Sequence, residues 1–503
     1  VTALGENAFA GCTSKVRVPY SVKTIADGAF VSGATVVSYA NTAAKTYAEA
    51  KDGVTFDERP GMRLLAIGNS YTEDIAVNHL WRVAQKMGVE EFKIGNLMYP
   101  GRNMEAIYNH IKNNGEDYIY REITSGGRAV TKGKAGHSNN IDVGLLADDW
   151  DVITLQPWFP DATNGLNGME DGEETAKWLD EVVKYVKAKC PNAKLAFNLI
   201  WSQNCMLSGV DRTATADNWL RTHNRPNYGN TLYNYNQIVE QVKTHVLNNS
   251  NFDYILPTGT AIENARTSFL GGMRGSVNQP YQPIIAGLQR DSTHVNDIGM
   301  YIGAMTWVKT LMPNLDIDSL EWAPNVTYDD NNGALSGNLV FDEAVIAEAK
   351  WAASKAVETA AAKTFAVTAS EKPFRIMAYD DGKVTVAMSN VVRDIGYADE
   401  NHTVADDKLT SDKTQNGNYK VDNSKKSKII VAEYDAKGEL VGAKFCDFTL
   451  TYDEVYGAIE TGTSYDKSVI DTQFAATNEN NDIKVMLWDG FDELKPLAHV
   501  FGN

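Results

Sequence analysis

From Met62 to about Phe365 short apolar runs alternate with stretches in which apolar residues recur every three or four positions, the pattern of strands and helices taking turns around a parallel sheet. Arg63-Leu-Leu-Ala-Ile67 reads as a buried strand. Further strands are predicted at Phe92 to Leu97, Asp151 to Leu155, Lys194 to Ile200 and Phe252 to Leu256. A helix after the first strand places Ala76, Leu80, Val83, Ala84 and Met87 on one face. Others are predicted near Thr175 to Lys187, Tyr235 to Leu247, Ile298 to Leu311 and, rich in Ala, Asp342 to Ala362. Beyond Ala366 the period changes to two. Arg375 to Tyr379 and Val384 to Met388 flank Asp381-Gly382, Lys428 to Tyr434 and Leu440 to Phe445 flank Lys437-Gly438, and Ile483 to Trp488 is a further strand. Thr410 to Lys428 is crowded with Asn, Asp, Ser and Lys and reads as a loop.

The first sixty residues repeat. Leu4-Gly-Glu-Asn-Ala-Phe9 is echoed by Ile25-Ala-Asp-Gly-Ala-Phe30, a spacing that belongs to solenoids. With Ala8-Phe-Ala-Gly-Cys12 and Val18-Pro19 the segment resembles the bacterial surface-antigen type of leucine-rich repeat, and Thr42 to Phe56 looks like the cap of such an array. Two units are too few to bury a solenoid core alone, so this end is expected to lean on the next domain or on further repeats. The resulting division is a leucine-rich repeat fragment and cap over 1–60, an α/β domain over 61–365 and an all-β sandwich over 366–503. Leu494-Lys-Pro-Leu497 resembles the closing motif of small β-sandwich modules that trail bacterial secreted enzymes.

Composition narrows the partners. The 503 residues are 43% hydrophobic and 22% charged, a folded-protein profile, and the formal charge of −18 repels nucleic acid and anionic membranes on average. No run is apolar enough to span a membrane. Cys12, Cys190, Cys205 and Cys446 lie far apart without a Cys-x-x-Cys pair and are expected reduced and buried, although Cys190 and Cys205 could meet in space. The chain opens at Val1 inside a repeat, which suggests a fragment of a longer precursor.

Two motifs carry chemistry. Ile67-Gly-Asn-Ser70-Tyr-Thr follows the first strand, and in open α/β sheets ligands bind off the carboxyl ends of strands. Ser70 alone could equally be a helix N-cap. Arg290-Asp291-Ser-Thr-His294 precedes the last helix of the parallel-sheet pattern that ends near Leu311. A serine hydroxyl needs a base to take its proton, and that base needs a carboxylate to fix its tautomer. Asp and His three residues apart can supply both. Asp329-Asp-Asn-Asn-Gly333 lacks the distal Glu of a calcium loop and reads as a turn, and no zinc or phosphate-binding motif is present, so neither metal nor cofactor is expected.

Together these residues resemble the SGNH (GDSL-like) hydrolases over about Arg63 to Leu311, in a branch with Gly-Asn-Ser in place of Gly-Asp-Ser. The resemblance implies a three-layer α/β/α, flavodoxin-like hydrolase with Ser70 as nucleophile and Asp291 and His294 as its partners. It implies oxyanion donors from the Ser70 and Gly101 backbone. The family's third block usually offers Gly-x-Asn-Asp, whereas this strand ends Leu155-Gln-Pro-Trp158, leaving Gln156 as the nearest amide donor. Tyr71, Tyr99, Trp158 and Trp201 fall at predicted strand ends and are expected to line a substrate surface. The reading is a secreted or cell-surface bacterial esterase that removes small acyl groups, acetyl above all, from carbohydrate. The alternatives are an inactive glycan-binding adhesin and an esterase for lipid or aryl esters. Oligomeric state is not readable from the sequence.

Overall fold

The structure, a computed structural model, describes residues 1–19, 22–40, 42–59, 61–124, 126–156, 172–202, 231–272, 288, 294–324, 341–388, 427–448, 467–491 and 494–502. Its first elements are β1 (Ala3–Leu4), β2 (Lys15–Arg17), β3 (Thr24–Ile25), β4 (Thr35–Tyr39), α1 (Ala43–Ala50) and β5 (Thr55–Arg59). Residues one repeat apart lie side by side: Ala3 pairs in parallel with Thr24, Val16 with Val36, and Val36 in turn with Phe56. Phe9 and Phe30 stack at 5.0 Å. Val18, Phe30, Val36, Ala44 and Tyr47 close a small core of their own. Ion pairs from Arg17 to Glu90 and from Lys23 to Asp149 reach the α/β part. Exposed pairs of this kind contribute roughly 0–1 kcal/mol each, so they orient more than they hold.

The α/β part runs β6 (Gly61–Gly68), α2 (Ser70–Ala76), α3 (Leu80–Lys86), β7 (Glu91–Met98), α4 (Met104–Lys112), β8 (Ile119–Ile123), β9 (Ala129–Lys132), α5 (Asp142–Leu145), β10 (Val152–Leu155), α6 (Gly172–Lys189), β11 (Lys194–Asn198), α7 (Thr231–His245), β12 (Tyr254–Leu256), α8 (Thr258–Thr267), α9 (Asp297–Leu311) and α10 (Glu343–Ala361). Seven strands form one sheet in the order β12-β11-β10-β6-β7-β8-β9. The first five are parallel. Alternate residues of β6 serve opposite faces, as strand geometry requires. Leu64 and Ala66 join a core with α2, α3, α8, α9 and α10, while Leu65 and Ile67 join another with α4, α5, α6 and α7. Helices therefore cover both faces.

Two features depart from the sequence reading. The sheet is not wholly parallel: β8 and β9 run antiparallel at its edge, turning through Gly126 and Gly127 at φ 95° and 69°. The single helix expected after the first strand is two, because the Asn78 amide donates to the Asp74 carbonyl at 2.9 Å and competes there with the helical backbone.

Beyond α10 come β13 (Phe374–Asp380), β14 (Lys383–Met388), β15 (Ser427–Tyr434), β16 (Leu440–Phe448), β17 (Lys467–Asp471) and β18 (Asp482–Trp488). They make two three-stranded antiparallel sheets, β13-β14-β17 and β16-β15-β18. Phe374, Ile376, Val384 and Val386 of one share a core with Ile429, Val431, Val485 and Leu487 of the other. Asp381 and Gly382 turn the first hairpin with positive φ, as such two-residue turns demand. Ser427 and Lys428 belong to β15, so the strand begins inside the stretch read as loop, and the rest of that stretch lies outside the described residues. Among the described residues no helix is long and apolar enough to cross a membrane. Cys12, Cys190 and Cys446 are free thiols but half-buried rather than buried as expected, and Cys205 lies outside the described residues.

Candidate active site

The central strand β6 ends at Gly68, and the chain turns at once into α2. Asn69 is the helix cap: its side-chain oxygen accepts from the Tyr71 N–H at 3.0 Å. Ser70 is thus the first helical residue and its hydroxyl is not consumed in capping. The turn is tight. A Cβ on Gly68 would lie 2.3 Å from Thr72 Oγ1 and 2.9 Å from Gln156 Oε1. Gly68→Ala is therefore expected to displace the turn, costing about 1–3 kcal/mol as overpacking does and most of any activity at Ser70. Thermal unfolding together with ester hydrolysis checks it, and an unchanged, active variant would contradict the geometry.

On the other side of the site, Asn296 caps α9 by accepting from the Gly299 N–H at 3.1 Å, and its own N–H donates to the Leu288 carbonyl at 2.7 Å. This fixes the chain just after His294. His294 Nε2 lies 2.8 Å from Ser70 Oγ, although the two residues are 224 positions apart. An imidazole at this distance can accept the hydroxyl proton when Nε2 carries none. Asp291 lies outside the described residues, as does Trp158.

The remaining expected residues are placed differently from one another. Tyr71 and Trp201 are wholly buried, which corrects their assignment to a substrate surface. Their rings meet at 4.6 Å, and Tyr71 lies 6.4 Å from the His294 ring, so they back the imidazole from inside the core. Tyr99 is half-buried against Tyr118 and His110, with the Arg102 guanidinium 5.7 Å from its ring. Gly101 takes a left-handed φ of 60° in the exposed turn between them. Gln156 is buried, and its amide oxygen accepts from Thr72 Oγ1 at 3.0 Å and from the Asn69 N–H at 3.4 Å. The end of Gln156 that meets the turn is an acceptor, not the donor the sequence reading asked for.

Behind Trp201 is a charged cluster the sequence reading missed. Glu263 and Arg266 of α8 form an ion pair with both side chains buried. Ser202 donates its hydroxyl to Glu263 at 2.7 Å, and its carbonyl accepts from Arg266 at 3.3 Å. Burial raises the Glu263 carboxyl above the usual carboxylate range, against the opposing pull of Arg266 and Ser202. Nearby, His79 Nε2 lies 3.3 Å from the carboxylate of Asp297, the first residue of α9. The buried pair has little signal in the sequence, because Thr258 to Thr267 has a narrow apolar stripe of Ala261, Ile262 and Ala265 and a polar remainder, Glu263 and Arg266 included, that reads as a solvated face. Among the described residues no group of three or more His, Cys, Asp or Glu is placed to hold a metal.

Residues 63–333, more than half of the chain, match the DUF4886 family, a domain of unknown function. The chain belongs to the DUF4886 family. It is similar to a DUF4886 family protein from Bacteroides uniformis, at 24% identity over 59% of this chain and 95% of that one, with a TM-score of 0.44. An acetyl xylan esterase matches at 14% identity over 49% of this chain and 98% of its own, TM-score 0.28. A protein from Parabacteroides merdae described as a GDSL-like lipase matches at 12% over 50% and 96%, TM-score 0.28. Scores this low do not bear on activity. No curated protein matches the chain.

Proposed function

We propose that this DUF4886 protein is a serine-dependent ester hydrolase of the SGNH type, carried between a leucine-rich repeat end (1–60) and a β-sandwich module (366–503). The observation that carries the reading is the 2.8 Å approach of His294 Nε2 to Ser70 Oγ at the carboxyl end of the central strand. Ser70 attacks the ester carbonyl while His294 takes its proton, and His294 returns that proton to the leaving alcohol. Water, deprotonated by His294, then releases the acid from the acyl-serine. Asp291 orients His294, and the backbone N–H groups of Ser70 and Gly101 receive the oxyanion. The favoured substrate is a small acyl ester, acetyl first, on a carbohydrate, and the favoured setting is the surface or exterior of a bacterial cell.

A second reading is favoured by one observation: Gln156 turns its amide oxygen, an acceptor, to the nucleophile turn where the family's third block offers an Asn donor. A chain that kept the fold without turnover would be a binding module. A fluorophosphonate probe separates the two, because only an activated serine reacts quickly. Rapid labelling of Ser70, located by peptide mass spectrometry, supports the hydrolase. Failure to label the folded chain would sink it.

A further inference from the structure

The residue between Gly68 and the nucleophile uses both ends of its side chain. Asn69 is fully buried. Its oxygen accepts from the Tyr71 N–H at 3.0 Å, and because that partner can only donate, the other end of the amide must be the nitrogen. That nitrogen faces the Arg102 carbonyl at 3.4 Å, a long bond that joins the helix turn to the loop after β7. The Asn69 backbone N–H in turn meets Gln156 Oε1 at the end of β10. Three strand ends thus converge on one residue.

The loop that Asn69 grips is the one that carries Gly101. Its near end is anchored where the Tyr99 N–H donates to the Gly68 carbonyl at 2.8 Å, and its far end where Asn103 caps α4 by accepting from the Ala106 N–H at 2.9 Å. Between these anchors the backbone passes through the left-handed Gly101 and then Arg102, whose carbonyl meets Asn69. We propose that Asn69 is a positioning residue: its amide nitrogen holds the Tyr99–Asn103 loop against the nucleophile turn and so sets where the Gly101 N–H stands relative to Ser70. This rests on the reading of Ser70 as nucleophile. It also gives a physical reason for an amide here. An aspartate would cap α2 equally well, but its second oxygen would face the Arg102 carbonyl, acceptor against acceptor with a charge added, and the loop would be pushed away.

Asn69→Asp and Asn69→Ser in the full chain provide the test, since Asp and Ser both cap helices and neither supplies the amide donor. With a nitrophenyl acetate, kcat should fall by about 10- to 100-fold, short of the 10² to 10³ lost with an entire oxyanion donor, while KM stays close to wild type; Asn69→Asp, which buries a charge, should also unfold at a lower temperature than Asn69→Ser. A folded Asn69→Asp variant with wild-type kcat would show that Asn69 is a cap and nothing more. If both variants fail to fold, a crystal structure of the wild-type chain with a phosphonate adduct on Ser70 decides. The proposal requires a phosphonyl oxygen within hydrogen-bond distance of the Gly101 N–H and the Asn69 to Arg102 bond retained; absence of either overturns it. A wild-type chain that neither hydrolyses the ester nor takes the probe removes the nucleophile reading and this one together. An active wild type with unaffected variants removes this one alone.

Discussion

Ser70→Ala is expected to lower kcat for a small acetyl ester by about 10⁶, the loss typical of a nucleophile that works as a unit with its base. The fold should not change with it. Asn69, not Ser70, caps α2, and the Ser70 hydroxyl bonds to His294, so truncating it removes chemistry and little else. His294→Ala should cost about as much, and the double variant little more than either single one, because a base without its nucleophile has nothing to activate. Steady-state rates with circular dichroism on the same samples check all three. Retention of more than a few per cent of activity by Ser70→Ala would mean that another group attacks the ester. A double variant far slower than both singles would mean that the two residues act independently, contrary to their hydrogen bond.

The residues that proved easy to read are those whose surroundings follow from strand order alone. Leu64 to Ile67 is a continuous apolar run because β6 is central and covered on both faces, and such runs announce buried parallel strands. Ser70 and His294 were legible for a related reason: each sits at a turn before a helix, and the topology brings those turns together at 2.8 Å. The edge hairpin was not legible. Tyr120-Arg-Glu122 mixes charge into a short strand, and a strand with one open side needs no apolar run. Helix α8 escaped because Thr258, Thr260, Glu263, Asn264 and Arg266 are all buried, so the polar residues that normally mark a solvent face mark an interior one instead. Tyr71 and Trp201 show the limit for the site. An aromatic at a strand end suits a platform or a core equally, and which it becomes depends on segments distant in sequence.

The buried pair on α8 supports the second large prediction, that Glu263→Ala destabilises the protein by about 3–5 kcal/mol, the range for removing one partner of a buried ion pair. The lost carboxylate leaves the Arg266 guanidinium, whose side chain is 2% exposed, without its counter-charge. It also removes the acceptor for the Ser202 hydroxyl. Glu263→Gln should be milder, because an amide keeps an oxygen for Ser202 and Arg266 although it too removes the counter-charge. The pH dependence of the difference between wild type and Glu263→Gln follows from the raised carboxyl. A carboxyl that holds its proton longer when folded than when unfolded adds stability at pH below the ordinary glutamate value of about 4.3 and loses it as pH rises through the raised folded value. Glutamine imitates the protonated form at every pH, so wild type should lose ground to Glu263→Gln as pH rises across that window. Denaturant unfolding at several pH values measures both effects, and a Glu263→Ala cost under about 1 kcal/mol would place the pair outside the class of buried bridges. The consequence for the site follows from adjacency. Ser202 is next to Trp201, Trp201 packs on Tyr71, and Tyr71 backs His294, so loosening the cluster in Glu263→Ala should also lower kcat well below the unfolding temperature, with Glu263→Gln close to wild type.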